Sequence, residues 1–246
     1  MKTVICCINS KYIHSSLAPW YLLAGCRRYA PELDVEVVEG TINENMSVVI
    51  DRIVATAPDC VGFCCYIWNI DYIKPLCELL KQKKNDIIII FGGPEVTYEP
   101  EHFILNYKID YVMSGEGEET FPQLLGQIEK GEDINVCGVS YKEHISSDVA
   151  MCDLSYVESL ESPYDLVEDT NDKNKKILYF ETSRGCPFQC QYCLSSLEKG
   201  LRFFSREYLE KQLVKETLIR VRLVSRAQIA PPKLELKESK LQFSMI

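Results

Sequence analysis

The chain has no apolar run of the length that crosses a membrane. Its longer apolar runs, such as residues 87–91, fall far short of the roughly 18 residues that a spanning helix needs. The amino terminus, MKTVICCINS, also lacks the longer apolar segment of a secretory signal peptide. With 46% hydrophobic residues among 246, the sequence predicts a globular protein with no membrane span and favours the cytoplasm.

Basic charge is scarce over most of the chain. The net charge is −9, and residues 1–198 contain 16 Lys and Arg against 31 Asp and Glu. Residues 199–246 reverse the balance, with 11 basic and 5 acidic residues. An acidic body argues against a nucleic-acid partner. The basic end has neither interleaved aromatic residues nor a known binding motif, so a solvated charged face is its simplest interpretation.

Cysteine is abundant, with twelve residues. In a small secreted protein this number would indicate disulfides. Here many of them lie in apolar runs, where a reduced cysteine behaves as a small hydrophobic residue: Cys6, Cys7, Cys60, Cys64 and Cys65. A reducing compartment fits this placement better.

Short β-branched runs alternate with helical patterns along the first 141 residues. This alternation predicts an α/β domain with a parallel, Rossmann-like (flavodoxin-like) sheet covered on both faces. The predicted strands are Thr3 to Ile8, Val35 to Val38, Cys60 to Cys65, Asp86 to Phe91, Tyr111 to Met113 and Cys137 to Tyr141. The first predicted helix is capped by Ser15 or Ser16 and runs to about Arg28. The other predicted helices are Glu44 to Ala57, Asp71 to Lys83, Glu101 to Tyr107 and Glu118 to Glu129. Residues 142–176 are polar and predict a linker, and a new unit follows over 177–246, with helical patterning from Ser205 to about Val214.

Three loops follow predicted strands at the edge where such sheets bind ligands. They are NSKYIHSS at 9–16, GGPEV at 92–96 and SGEGEET at 114–120. Glycine pairs in two of them would allow a ligand to approach the backbone. Tight turns explain glycine pairs about as often, and an isolated histidine such as His14 more often has a structural role.

The segment GCPFQCQYC places three thiols in eight residues: Cys186, Cys190 and Cys193. A structural zinc site would need a fourth ligand from elsewhere, and a thioredoxin-like pair would use only Cys190 and Cys193. Three thiolates in C-x-x-x-C-x-x-C spacing suit three irons of a [4Fe–4S] cluster and leave the fourth iron open. The spacing therefore favours the cluster over zinc, a redox pair or coincidence.

At these cysteines the chain resembles the radical S-adenosylmethionine superfamily, whose motif carries an aromatic residue before the last cysteine, here Tyr192. The resemblance implies that S-adenosylmethionine binds the open iron and is cleaved to a radical, with electrons from a donor such as flavodoxin or ferredoxin. Upstream, GGPEVTYEP and SGEGEETFPQL resemble the cobalamin-binding domain of the B12-dependent branch. Methyl transfer and radical cyclisation are both outcomes in that branch, and the substrate is unknown.

The resemblance also assigns candidate cobalamin residues. His14 stands at the position of the cobalt ligand in a D-x-H-x-x-G loop whose Asp and Gly are missing here. The remaining candidates follow the third, fourth and fifth strands: Cys64, Tyr66, Gly92, Gly93, Pro94, Ser114, Gly115, Glu116 and Gly117.

The end of the chain departs from the family. After Gly200 it has no Gly, Asp, Asn or Cys, the residues on which the turns of a barrel depend. Family likeness fades from about residue 215, so we expect a chain truncated within the radical S-adenosylmethionine domain. A non-catalytic cobalamin or nucleotide-binding module with structural zinc is the alternative. A receiver domain is disfavoured because no acidic cluster follows the first strand.

Overall fold

A computed structural model describes residues 1–167, 176–188, 190–197, 200–215 and 221–223. The strands are β1 (Lys2–Asn9), β2 (Asp34–Thr41), β3 (Cys60–Cys64), β4 (Ile88–Gly92), β5 (Tyr111–Met113), β6 (Val139–Ser140), β7 (Leu178–Phe180), β8 (Ser183–Cys186), β9 (Gly200–Phe203) and β10 (Val221–Leu223). The helices are α1 (Ala18–Tyr29), α2 (Met46–Ala55), α3 (Ile70–Lys83), α4 (Pro100–Asn106), α5 (Thr120–Lys130), α6 (Leu154–Ser159), α7 (Pro163–Leu166) and α8 (Arg206–Lys215).

The first six strands form one sheet in the order β2-β1-β3-β4-β5-β6. The pairs among β1 to β5 are parallel, and β6 closes the edge antiparallel to β5. All five residues of β3 are buried, as expected for a strand covered on both faces. The structure therefore confirms the predicted α/β architecture with its mostly parallel sheet.

Two apolar layers cover this sheet. One contains side chains of α1 and α5, among them Tyr21, Leu23 and Leu124. The other contains side chains of α2, α3 and α4, among them Ile53 and Leu76. Because helices cover both faces of the sheet, a ligand has access only to the ends of its strands.

The segment that the sequence predicted to be a linker packs against the first domain as far as the structure describes it. Gly115 and Ala150 form a parallel bridge beside β5, and α6 and α7 follow. The side chains of Cys152, Val157 and Leu166 are buried in the same apolar layer as α1. Residues 142–167 thus extend the first unit, a result of tertiary contacts that a polar composition does not reveal.

The second unit begins with β7 at Leu178, one residue after the predicted start of that unit. β7 pairs in parallel with β10, and β8 and β9 form an antiparallel hairpin. The helix predicted from Ser205 is α8. Within the described ranges, no helix is both long and apolar enough to cross a membrane.

Candidate functional site

The loops after β1, β3, β4 and β5 meet where the carboxyl ends of these parallel strands lie side by side, which we call the carboxyl edge of the sheet. Asn69 joins two of these strands: its fully buried amide donates to the carbonyls of Ile8 (2.9 Å) and Cys64 (3.0 Å). Its carbonyl oxygen accepts from the Tyr66 amide at 2.7 Å. One side chain therefore fixes the spacing of β1 and β3 where the candidate site begins.

The loop after β1 contacts the start of the second unit. His14 Nδ1 lies within hydrogen-bonding distance of the Tyr179 hydroxyl, and the two rings stack with centroids 6.0 Å apart. Ser15 Oγ donates to the Ile177 carbonyl at 2.7 Å. The prediction that Ser15 or Ser16 caps α1 is wrong, because the N-cap position is Leu17 and Ser15 is used in this contact.

The two glycines after β4 have different surroundings. Gly93 has φ +113°, and a Cβ there would lie 2.5 Å from the Cys65 carbonyl oxygen. At Gly92 the nearest described atom to an added Cβ belongs to Met113, at 3.9 Å. The need for glycine at 93 is thus explained by the protein's own backbone, whereas an added Cβ at Gly92 would make only ordinary van der Waals contact.

The end of β3 combines buried thiols with exposed aromatic surface. A hydrogen bond with the Cys7 thiol and burial raise the pKa of the Cys64 thiol well above its ordinary value, so Cys64 is a neutral thiol. Just beyond it, the Tyr66 ring stacks on the Trp68 ring, with centroids 4.4 Å apart and planes at 7°. Ile67 and Trp68 are both exposed. An exposed flat apolar surface at this edge is suited to a large ring-shaped ligand.

The loop after β5 is held rigidly by backbone contacts. Gly115 has φ +101°, and a Cβ there would lie 2.1 Å from the Ala150 carbonyl oxygen. Gly117 faces Leu22, whose Cδ2 would be 2.8 Å from an added Cβ. Ser114 Oγ is buried with no hydrogen-bond partner among the described residues. That hydroxyl is a polar group that a ligand at the carboxyl edge could satisfy.

Two carboxylates of this loop reach the second unit. Glu118 lies 2.5 Å from a guanidinium nitrogen of Arg184, a residue of β8. Glu116 lies 3.3 Å from Arg184, accepts from both terminal nitrogens of Arg202 on β9, and accepts from the Cys152 amide at 2.7 Å. Glu116, predicted from the resemblance to bind a cofactor, is thus surrounded by protein donors.

The hairpin of β8 and β9 presents the three-cysteine loop. Cys186 is the last residue of β8 and is paired with Gly200, the Cys193 amide donates to the Cys190 carbonyl at 3.1 Å, and a 3-10 turn follows. Cys186 and Cys190 are half-buried, while Cys193 is exposed and Tyr192 is 93% exposed. Among the described residues, no three His, Cys, Asp or Glu side chains already converge as a metal site.

Sequence reasoning missed Asn69, Glu118, Arg184 and Arg202. Asn69 had a detectable signal, because it follows β3 and directly precedes α3, where asparagine is a common capping residue. Arg184 and Arg202 had none, since their partners lie 66 and 86 residues away along the chain.

The B12-binding domain family matches residues 3–125, half of the chain. The chain belongs to this family. The matched residues run from β1 into α5 and so include the four loops of the carboxyl edge.

Curated relatives of this B12-binding protein include methyltransferases. The chain is 31% identical over 180 residues to an uncharacterized methyltransferase, PH0819, of Pyrococcus horikoshii, a match that covers 70% of this chain and 39% of the relative. It is 26% identical over 170 residues to the cobalamin-dependent radical SAM methyltransferase TokK of Streptomyces tokunonensis, covering 63% of this chain and 25% of the relative. The chain therefore spans well under half the length of these relatives.

Solved structures share the fold. The cobalamin-dependent S-adenosylmethionine radical enzyme OxsB, with aqua-cobalamin and S-adenosylmethionine bound, aligns with a TM-score of 0.77 at 20% identity, over 99% of this chain and 38% of that one. The radical S-adenosylmethionine methyltransferase TsrM from Kitasatospora setae aligns with a TM-score of 0.66 at 15% identity, over 92% of this chain and 48% of that one. At these identities the likeness shows the fold alone.

The residues at the carboxyl edge of this B12-binding domain fit cobalamin. The edge offers the buried Ser114 hydroxyl, which has no hydrogen-bond partner among the described residues, the half-buried backbone of Gly92, and the stacked rings of Tyr66 and Trp68. Three cysteines on one short loop fit a cluster with three thiolate ligands. The residues at the carboxyl edge therefore have the chemistry that cobalamin requires, and the three cysteines have the chemistry that a [4Fe–4S] cluster requires.

Proposed function

We propose that the chain is the part of a B12-dependent radical S-adenosylmethionine enzyme that binds cobalamin and a [4Fe–4S] cluster, and that the enzyme transfers methyl groups. The observation that carries the proposal is the docking of the cysteine hairpin on the loop after β5, through Arg184 and Glu118. This contact supports the proposal because it joins β8, the strand that leads into the three-cysteine loop, to a loop at the carboxyl edge of the sheet, where such sheets bind ligands.

Separate sets of residues would bind the cluster and the cobalamin. The thiolates of Cys186, Cys190 and Cys193 would hold three irons and leave the fourth for the amino and carboxylate groups of S-adenosylmethionine. When bound, such a cluster supplies the electron that cleaves S-adenosylmethionine, and cobalamin supplies a methyl carrier. Ser114, Gly92 and Tyr66 would orient the cobalamin at the sheet edge. The parallel pair of β7 and β10 would begin the partial barrel around the cluster.

Radical cyclisation is the second candidate reaction. The anaerobic magnesium-protoporphyrin IX monomethyl ester cyclase of Synechocystis is 29% identical over 138 residues, covering 48% of this chain and 26% of that protein. Methyl transfer is preferred because the relative with the higher identity and wider coverage is named a methyltransferase. The electron donor, flavodoxin or ferredoxin, stays a prediction.

Cobalamin binding is tested by titration with hydroxocobalamin. Gly93→Val is unsuitable, because its side chain would strike the Cys65 backbone and unfold the loop. Gly92→Val adds bulk where the structure has room, and we expect it to weaken binding by about tenfold or more while the fold is retained, since it fills the ligand's approach. Gly126→Val is the control, because nothing among the described residues lies within 4 Å of a Cβ added at this position in α5. Equal affinities for the two variants would contradict a cobalamin site at this edge.

The cluster is tested by anaerobic reconstitution of the full chain with iron and sulfide. We expect broad visible absorption and equivalent iron and sulfide, both lost in Cys190→Ala because the motif has no spare ligand. Cys137→Ala removes an exposed cysteine outside the loop and should change neither. Stoichiometric zinc in place of iron, lost in the same variant, would instead support the non-catalytic zinc module.

A further inference from the structure

A buried arginine lies at the base of the cysteine loop. Arg184 is two residues before Cys186, and its side chain is 8% exposed. Three carboxylates surround its guanidinium: Glu118 at 2.5 Å, Glu181 at 3.1 Å and Glu116 at 3.3 Å. Two of the three belong to the B12-binding domain, and only Glu181 is local to Arg184 in the sequence.

The energetics of this group favour a fixed geometry. Burial alone would lower the pKa of the Arg184 guanidinium, but Glu118 and Glu181 outweigh it and the pKa lies above its ordinary value. The guanidinium also lies over the rings of Tyr21 (5.9 Å) and Phe204 (5.7 Å). A buried cation held on several sides loses much when one partner is removed, because the charge is then left unpaired.

The second strand of the hairpin is fastened to the same loop. Arg202 of β9 stands opposite Arg184 in the β8–β9 register. It donates to Glu116 at 3.3 Å and to the Cys152 carbonyl at 2.7 Å. Both ends of the cysteine loop therefore emerge from strands that are held by Glu116 and Glu118.

The loop that carries these carboxylates is itself immobilised. The Glu116 amide donates to the Ala150 carbonyl at 2.9 Å, and the Ser114 amide donates to the Gly138 carbonyl at 2.8 Å. Gly115 packs so closely on Ala150 that the loop cannot move towards that residue. Glu116 and Glu118 therefore hold the hairpin at a defined position relative to the carboxyl edge of the sheet.

We propose that Glu116 and Glu118 are positioning residues for the cysteine loop, which they hold against the carboxyl edge of the sheet through Arg202 and Arg184. The consequence for a bound cluster, a fixed distance to cobalamin, rests on the proposed function. The clamp itself, meaning the contacts of Glu116 and Glu118 with Arg202 and Arg184, does not rest on it, because these contacts are made by side chains of this chain alone.

The first experiment uses the full chain without iron or cobalamin. In Glu118→Gln and Glu116→Gln, we expect amide hydrogen exchange in β8 and β9 to speed up by about tenfold or more, because Arg184 or Arg202 loses a carboxylate partner and local opening becomes easier. We expect the same increase in the alkylation rate of the half-buried Cys186 and Cys190. Exchange in β1 and β3 should stay unchanged. Glu119→Gln removes the same charge from the adjacent residue and should leave the hairpin as in the wild type.

A second variant covers the case in which single substitutions do not fold. Glu118→Gln combined with Arg184→Met removes the buried cation and its most buried carboxylate, while Glu116 keeps Arg202 and Glu181 is partly exposed. The link to the sheet edge through Arg184 is lost without leaving that cation unpaired. We expect this protein to fold with a hairpin that exchanges faster than that of the wild type. Wild-type exchange and alkylation in the folded double variant, or in folded Glu118→Gln, would overturn the clamp.

The third measurement separates positioning from folding. After reconstitution with iron and hydroxocobalamin, followed by reduction, we expect Glu118→Gln to bind as much iron as Glu119→Gln but to show an altered spin–spin interaction between cobalt(II) and the reduced cluster. An unchanged interaction at equal iron content would refute the positioning role. A wild-type chain that binds no iron would refute the proposed function, while the exchange data would still decide the clamp.

Discussion

At the scale of single residues, Asn69 is the side chain on which the site's geometry depends most. It is fully buried and bonds to backbone groups of three residues: Ile8, Cys64 and Tyr66. Its side chain forms hydrogen bonds with backbone groups at the ends of two parallel strands. These bonds keep the loops that follow the two strands at a fixed distance from each other.

Replacing this side chain should therefore be costly. We expect Asn69→Ala to lower the free energy of unfolding by at least about 2 kcal/mol, because buried backbone groups lose their partners. Urea denaturation measures the change. Asn106→Ala removes an exposed amide that bonds to the His102 carbonyl and should cost under about 1 kcal/mol. Similar losses in the two variants would show that the contacts of Asn69 are replaced by water.

At the scale of elements, α5 fixes the far end of the loop that carries Glu116 and Glu118. It ends at Gly131, whose φ of +64° is left-handed. Gly126 lies inside the helix with nothing among the described residues within 4 Å of an added Cβ. The same substitution should thus have opposite effects at these two glycines.

We expect Gly126→Ala to raise the free energy of unfolding by about 0.5–1 kcal/mol, because alanine loses less backbone entropy in a helix. Gly131→Ala should lower it by about 1 kcal/mol, because an L side chain is strained in the left-handed cap. Both are measured by thermal or urea unfolding of the full chain. Two changes of the same sign would contradict the cap assignment.

Hydrophobic patterning predicted the helices and strands of the first unit, but it did not predict where most of them begin and end. The strand at Tyr111–Met113 was predicted to the residue, whereas β1 and β2 are longer than predicted because each continues along its partner as far as Asn9 and Thr41. Pairing with a neighbour decides where a strand ends. The β8–β9 hairpin was missed entirely, since glycines and arginines carry no strand signal.

At the scale of the whole molecule, the two units share an apolar core. The layer that contains α1 and α5 also includes Phe180, Phe204 and Leu209 of the second unit. The hydroxyls of Tyr21 and Tyr208 are 2.7 Å apart within it, and Ser162 Oγ donates to Gln212 at 2.7 Å. A shared core couples the stabilities of the units.

We therefore expect one cooperative unfolding transition in urea, with hydrogen exchange of β1 and β8 lost at the same midpoint. Leu209→Ala weakens the junction and should make β8 open before β1. Leu76→Ala, in the layer on the opposite face, should lower both midpoints together. Two separate transitions in the wild type would mean that the shared core does not couple the units.

The sequence alone determined the α/β class, the order of strands and helices in the first unit, and the candidate cluster ligands, because periodicity and ligand spacing are local properties. It also pointed to the loops at the carboxyl edge. Only the tertiary structure decided what each loop residue touches. Gly93 is required by Cys65, Glu116 binds arginines of the second unit, and His14 contacts Tyr179. These partners lie 28 to 165 residues apart in the chain, and their meeting depends on how the helices and strands pack, which no local pattern encodes.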